Sequence, residues 1–171
     1  MLISEDYRKQ QEKLHENPDY GVASRFFAPT VAQIIDKFEV DELLDYGCGK
    51  RRLMESLKPK RKLRIQCYDP GVPEFSESPS PSDMVACIDV LEHIEPHLIG
   101  NVLDDLKRVT KRYLFASVDC GPAEKTLPDG RNAHLIQRPA NWWLPRLMNH
   151  FELFTYQKLD RGFWVLMFNG N

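Results

Sequence analysis

Apolar positions recur along this chain with two different spacings. Val31, Ile34, Ile35 and Phe38 fall on one helical face, as do Leu98, Val102, Leu103, Leu106 and Val109. These patterns predict helices over 31–38, with Pro29 in its first turn, and over 95–110, with Pro96 near its start. Further helices are expected over 6–16, stopped by Asn17-Pro18, over 50–57, closed by Pro59, and over 142–149. Short apolar runs between them read as strands at 42–46, 63–68, 83–89 and 112–118. Residues 83–89 are apolar on both faces, as in a central parallel strand. Two aromatic-rich strands, 152–159 and 162–168, are joined at Asp160-Arg161-Gly162 as a hairpin. Strands alternating with helices predict an α/β fold with a mostly parallel sheet.

Two stretches break the pattern. Residues 70–82 hold four prolines and four serines and admit no regular helix. Residues 119–139 form a long polar loop, and a loop of that length is usually functional or disordered. The expected organisation is an N-terminal segment, 1–28, and a single domain, 29–171, carrying a substrate loop at 119–143. The first segment reads as a frayed arm or surface helix. The alternative is a lid using Tyr7, Leu14 and Tyr20.

Composition adds mostly exclusions. Of 171 residues, 42% are hydrophobic and 28% charged, which suits one ordinary globular domain. A net charge of −2 gives no global argument for nucleic acid or an anionic membrane. Cys48, Cys67, Cys87 and Cys120 contain no C-x-x-C pair, so they read as reduced, partly buried thiols and no metal site is expected. The polar N-terminus does not read as a signal peptide, and no run reaches the roughly 18 apolar residues of a membrane span. A cytoplasmic protein is the expectation.

The chemistry centres on Leu43-Leu44-Asp45-Tyr46-Gly47-Cys48-Gly49, a strand running into a glycine turn that opens a helix. Glycines let a ligand approach the backbone, and a helix N-terminus offers unpaired N–H groups. Asp69 ends the second strand, 20 residues after Gly49, where an acid meets a ribose in βαβ nucleotide folds. The third strand ends in Asp89-Val90-Leu91-Glu92-His93-Ile94. Parallel strand ends share one edge, so these three segments should line one cleft. A dinucleotide fingerprint would need glycine at 52, which is Arg52, and the Walker pattern is absent.

Together these motifs resemble the class I S-adenosylmethionine-dependent methyltransferases, nearest the small-molecule group, over roughly residues 30–168. The resemblance implies a Rossmann-like three-layer sandwich with a C-terminal antiparallel hairpin, and S-adenosyl-L-methionine as cofactor. It implies Asp45 beside the methionine amino group, Gly47, Cys48 and Gly49 against the cofactor, and Asp69 with Pro70 at the ribose. Asp89, Val90 and Leu91 would lie near the methionine part. The family usually inserts a helix and a strand after the second-strand acid. Here 13 residues separate Asp69 from Asp83, so this is a minimal form, with Glu74, Phe75 or Glu77 left to cover the adenine.

Methyl transfer needs alignment and sometimes a base. His134 and His93 are the candidates, since neutral imidazole suits proton removal near pH 7. His93 also reads as a local helix-start histidine, and Asp129-Gly130 beside His134 as a solvated turn. Glu92, Arg131, Asn132, Arg138, Trp142 and Trp143 are the candidate substrate-binding residues. Lys50, Arg51 and Arg52 form either a solvated helix face or an attractor for a charged substrate. The expected acceptor is an O or N of a small molecule such as a sugar or nucleotide. A cofactor-binding module without catalysis, serving a partner, and a nucleic-acid methyltransferase stay open. The sheet edge left bare by the missing segment could pair with a second copy as a homodimer.

Overall fold

The residues of each central strand point alternately to two helical layers. In the computed structural model, which describes residues 1–17 and 21–170, six strands form one sheet in the order β2-β1-β3-β4-β6-β5. The strands are β1 (Glu42–Tyr46), β2 (Arg64–Tyr68), β3 (Ser82–Ile88), β4 (Thr110–Asp119), β5 (Glu152–Lys158) and β6 (Gly162–Phe168). The first four are mutually parallel, while β6 pairs antiparallel with both β4 and β5. The three-layer sandwich and its C-terminal hairpin are thus as expected.

Alternation in the strands builds the two cores. Leu43, Met84, Ala86, Ile88 and Phe115 face α2 (Ala23–Lys37) and α3 (Arg52–Ser56). Leu44, Val85, Cys87, Leu114 and Ala116 face α4 (Ile99–Val109) and α5 (Ala140–Met148). Burying apolar surface on both sides of the sheet is the main stabilising term, about 25 cal/mol per Å². The strand β2 forms one edge, with a single 3-10 turn (Pro73–Phe75) between it and β3. No third-strand insertion is present among the described residues.

Several helix boundaries differ from the sequence pattern. The helix α2 starts at Ala23, so Pro29 lies inside it rather than in its first turn. Arg25 and Pro29 are both exposed, so the carbonyl deprived of its helical partner lies on the solvent side. The helix predicted over 95–110 starts only at Ile99. Glu95 instead accepts from the Ser4 backbone N–H and hydroxyl, both at 2.8 Å. The helix after the glycine turn is only five residues long.

The N-terminal segment is not a frayed arm. Its helix α1 (Glu5–His15) is capped by Ser4 and buries Tyr7 and Gln11. The Tyr7 hydroxyl donates to the His93 carbonyl at 2.6 Å, fastening the helix to the 3-10 turn Leu91–His93. Tyr20, the third residue considered for a lid, lies outside the described residues.

The packing of α4 supplies a test of this architecture. Leu106 is fully buried between the sheet and α5. Leu106→Ala should cost about 2–5 kcal/mol through lost burial and the cavity it leaves. Urea denaturation measures this, and a cost below about 1 kcal/mol would place α4 outside the core.

Candidate active site

The ends of the parallel strands meet in one cavity of about 440 Å³. Its wall includes Asp45, Gly47, Cys48, Gly49, Asp69, Pro70, Asp89 and Val90, together with His93 and His134. Eight of the nine expected cofactor residues therefore share one space with both candidate histidines. The ninth, Leu91, is fully buried in the core beneath the cavity.

The glycine turn is shaped by contact on both sides. Gly47 has φ +81°, and a Cβ there would lie 2.3 Å from a Val90 methyl. Gly49 has φ +46°, and its Cβ would lie 3.1 Å from the His15 ring. Only glycine suits both the backbone angle and the space. The N–H groups of the turn itself, ahead of the helix, are engaged. Gly47 and Cys48 N–H donate to the Tyr68 carbonyl at 2.7 and 3.1 Å, and Gly49 N–H donates to Asp69 at 2.9 Å. These bonds tie the turn to the end of β2 and to Asp69.

The acidic groups of the wall are held differently. Asp69 also accepts from Gly71 N–H at 2.9 Å, and His15 Nε2 lies 3.7 Å from its other oxygen. Asp89 has φ +50° and accepts from the Ser117 hydroxyl at 2.5 Å. Burial raises its pKa, while the Ser117 hydrogen bond opposes the shift. Asp119 is paired with Arg161 at 2.9 Å. Asp45 is 4% exposed, and its Oδ2 has no hydrogen-bond partner among the described residues. Burial pushes its carboxyl up to about 8, with Cys67 and Asp69 adding to the shift.

The opposite wall is the loop after β4, as its length led one to expect. Asp119, Ala123, Glu124, Lys125, Ala133 and His134 all reach the cavity. His134 Nδ1 lies 2.7 Å from the Gly121 carbonyl, and His93 Nδ1 lies 2.8 Å from the Ala133 carbonyl. A carbonyl only accepts, so in each neutral ring Nδ1 carries the proton and Nε2 the lone pair. The two rings meet edge to face with centroids 4.7 Å apart. Burial, then His134, pushes the His93 pKa down to about 3, so that ring stays neutral.

The other expected substrate residues do not line the cavity. Trp143 is fully buried in the core, its indole N–H donating to the Arg138 carbonyl at 3.1 Å. Trp142 lies under the Arg146 guanidinium, 3.6 Å from the ring centroid. Arg138 is exposed, and Arg131 is turned outward onto Asp129 at 2.7 Å. Asn132 spends its amide on the loop backbone, at Ala123 and His134. Glu92 is fully buried behind the wall. Of the residues considered for the adenine, Glu74, Phe75 and Glu77, none lines the cavity, and Phe75 lies under Arg51. Nor do Lys50, Arg51 and Arg52 make an open basic patch. Lys50 reaches the Asn17 carbonyl, and Arg52 is buried.

Sequence reasoning offered a cover over the site only as its second alternative, with Tyr7, and missed Gln11, His15, Ala23 and Ser24. Tyr7, Gln11 and His15 of α1, with Ala23 and Ser24 at the start of α2, line the roof of the cavity. The signal was the four-residue spacing of Tyr7, Gln11 and His15 along one helical face.

Comparison with known proteins agrees with this fold. The fold matches the N1-methyltransferase of Burkholderia thailandensis that was crystallised with 1,6-didemethyltoxoflavin and S-adenosylhomocysteine. That match has TM-score 0.72 and 13% identity, covering 100% of this chain and 92% of the other. A putative O-methyltransferase from Nostoc punctiforme matches with TM-score 0.67 and 12% identity, over 92% of this chain and 59% of its own. The small RNA methyltransferase HEN1 matches with TM-score 0.67 and 13% identity, over 86% of this chain and 25% of its own. No curated protein matches the chain in sequence. A family model described as a methyltransferase domain matches residues 15–165, and the chain belongs to that family.

Proposed function

We propose that this chain is an S-adenosyl-L-methionine-dependent methyltransferase acting on an O or N of a small molecule. The observation that carries this reading is the joining of Asp45, Asp69 and the His93–His134 pair in one cavity. Asp45 would hold the donor's amino group, because its buried oxygen lacks a partner and an ammonium supplies one. Gly47 and Gly49 would give the donor room along the turn, and Asp69 with Pro70 would meet the ribose. Gln11 and His15, lying over Gly71 and Gly49, would close the donor end as a lid. When bound, the donor supplies a methyl group already activated by the positive charge on sulfur.

The acceptor would sit at the His93–His134 end, beneath the 119–139 loop. His134 presents its Nε2 lone pair there and orients the acceptor's nucleophile or takes its proton. His93, with its depressed pKa, holds a proton poorly and serves as a hydrogen-bond acceptor instead. A roofed cavity of about 440 Å³ favours a small acceptor over a polynucleotide. The N1-methyltransferase and putative O-methyltransferase neighbours support the same class of acceptor.

Titration calorimetry with S-adenosylhomocysteine tests the donor site. Asp69→Ala should weaken binding by about tenfold or more, a loss of about 1.4 kcal/mol. Unchanged affinity would remove Asp69 from the site. Incubation of the protein with methyl-labelled donor and a metabolite extract should label the small-molecule fraction. Label confined to RNA or protein would overturn the acceptor class.

A pH dependence follows from Asp45. With its carboxyl raised to about 8, the free protein holds it neutral at pH 6, and an ammonium ligand must expel that proton. Affinity for S-adenosylhomocysteine should therefore rise from pH 6 to pH 8, by up to about tenfold per unit. Asp45→Asn should bind more weakly and lose that slope. An equal slope in both proteins would show that another group titrates.

A further inference from the structure

Glu92, His93 and His134 stand together at the acceptor end of the cavity. One potential ligand atom from each lies within 4.8 Å of the other two. Both imidazoles are locked by Nδ1–H bonds to backbone carbonyls, which leaves the Nε2 lone pair of each ring as the donor. Metal-bound histidines are held in this way, with the far ring nitrogen fixing tautomer and orientation. Glu92 is fully withdrawn from solvent. One of its oxygens accepts from the Asp119 N–H at 2.8 Å, while Oε2 has no hydrogen-bond partner among the described residues. Burial pushes the Glu92 carboxyl well up, so in the free chain a proton relieves the cost of the unpaired oxygen, and a cation bound there would take that proton's place.

The geometry points to a divalent metal site formed by Glu92, His93 and His134, whose remaining coordination positions face the cavity and take an oxygen of the methyl acceptor. With an ion there both Nε2 lone pairs are ligands, and the ion replaces His134 as the group that orients the nucleophile. Bonds of roughly 2.0–2.2 Å bring donors to at most about 4.4 Å apart, so small side-chain rotations close the set onto an ion. Two imidazoles and one carboxylate suit first-row ions such as manganese, iron, cobalt or zinc better than calcium or magnesium. Three protein ligands leave open positions, as in catalytic rather than structural sites. His93 and His134 themselves line the cavity, so those positions open onto it. This assigns the acceptor an oxygen ligand, a hydroxyl or a vicinal pair of them. The acceptor half of the inference rests on the donor reading above, while the metal half stands without it.

The test uses the full chain stripped with chelator and titrated with cobalt(II), followed by visible absorption. About one ion per chain should bind, and manganese(II) and zinc(II) should compete. Glu92→Gln and His134→Ala should each weaken cobalt binding by about tenfold or more. His150→Ala should bind as the parent does, since His150 pairs with Asp104 outside the cavity. Catechol, a bidentate oxygen probe, should perturb the cobalt bands of the parent protein. Absence of stoichiometric binding by the parent overturns the site whatever the variants do. Binding unaltered by Glu92→Gln and His134→Ala, with both variants folded by circular dichroism, overturns these ligands. Cobalt bands indifferent to catechol overturn the acceptor half. Calorimetry with S-adenosylhomocysteine on the chelated protein reads the donor site separately, so its failure leaves the cobalt result standing.

Discussion

The structure depends on carboxylates that the sheet lifts out of water along one rim. Parallel strands end at the same level, so Asp45, Asp69, Asp89 and Asp119 come to the cavity together. A buried carboxylate is costly unless it is hydrogen-bonded or paired. The fold answers that cost with a different device at each position. Asp69 takes two backbone N–H groups, Asp89 takes the Ser117 hydroxyl, and Asp119 takes Arg161. Asp45 keeps an oxygen without a partner. Burial keeps that carboxyl protonated instead, and a cationic ligand, as the donor of the proposed reaction is, takes the proton's place there.

Helix α1 is fastened at both ends of the cavity. Ser4 is both cap of α1 and partner of Glu95, and Tyr7 hangs from the His93 carbonyl. At its other end α1 brings His15 against Gly49 and Asp69. One rigid helix thus spans the cavity from the glycine turn to the turn that carries Glu92 and His93. A ligand that lifts one end of α1 must work against the hydrogen bonds at the other.

Much of this was legible in the sequence. Parallel strands announce themselves as apolar runs, and the residues that end them share an edge, so Asp45, Asp69 and Asp89 to His93 could be placed in one cleft. What periodicity does not reveal is which polar side chains turn inward. Arg131 and Asn132 carry suitable chemistry, yet the first is captured by Asp129 and the second by its own loop backbone. Trp142 and Trp143 meet edge to face on a short helix, with centroids 4.9 Å apart, Trp143 within the core and Trp142 packed against it beneath Arg146, so neither ring reaches the cavity. Nor does the glycine pattern reveal that the turn's own amides are taken by the Tyr68 carbonyl and Asp69. The proline rule misplaced the start of α2, since an exposed proline is tolerated where a buried one is not.

Glu92 shows how far burial alone can be read. Its backbone carbonyl accepts from Ile136 N–H and its side chain accepts from Asp119 N–H, so it clamps the 119–139 loop to the sheet. A glutamine would make the same two bonds without placing an acid in the core. Structure alone therefore does not call for a charge at this position. The charge gains a purpose only with a cation beside it, and the nearest groups are two imidazoles whose Nδ1–H bonds already fix them as lone-pair donors. His93 bonds the same loop at the Ala133 carbonyl, so two of the three proposed ligands also hold the loop that carries the third, His134.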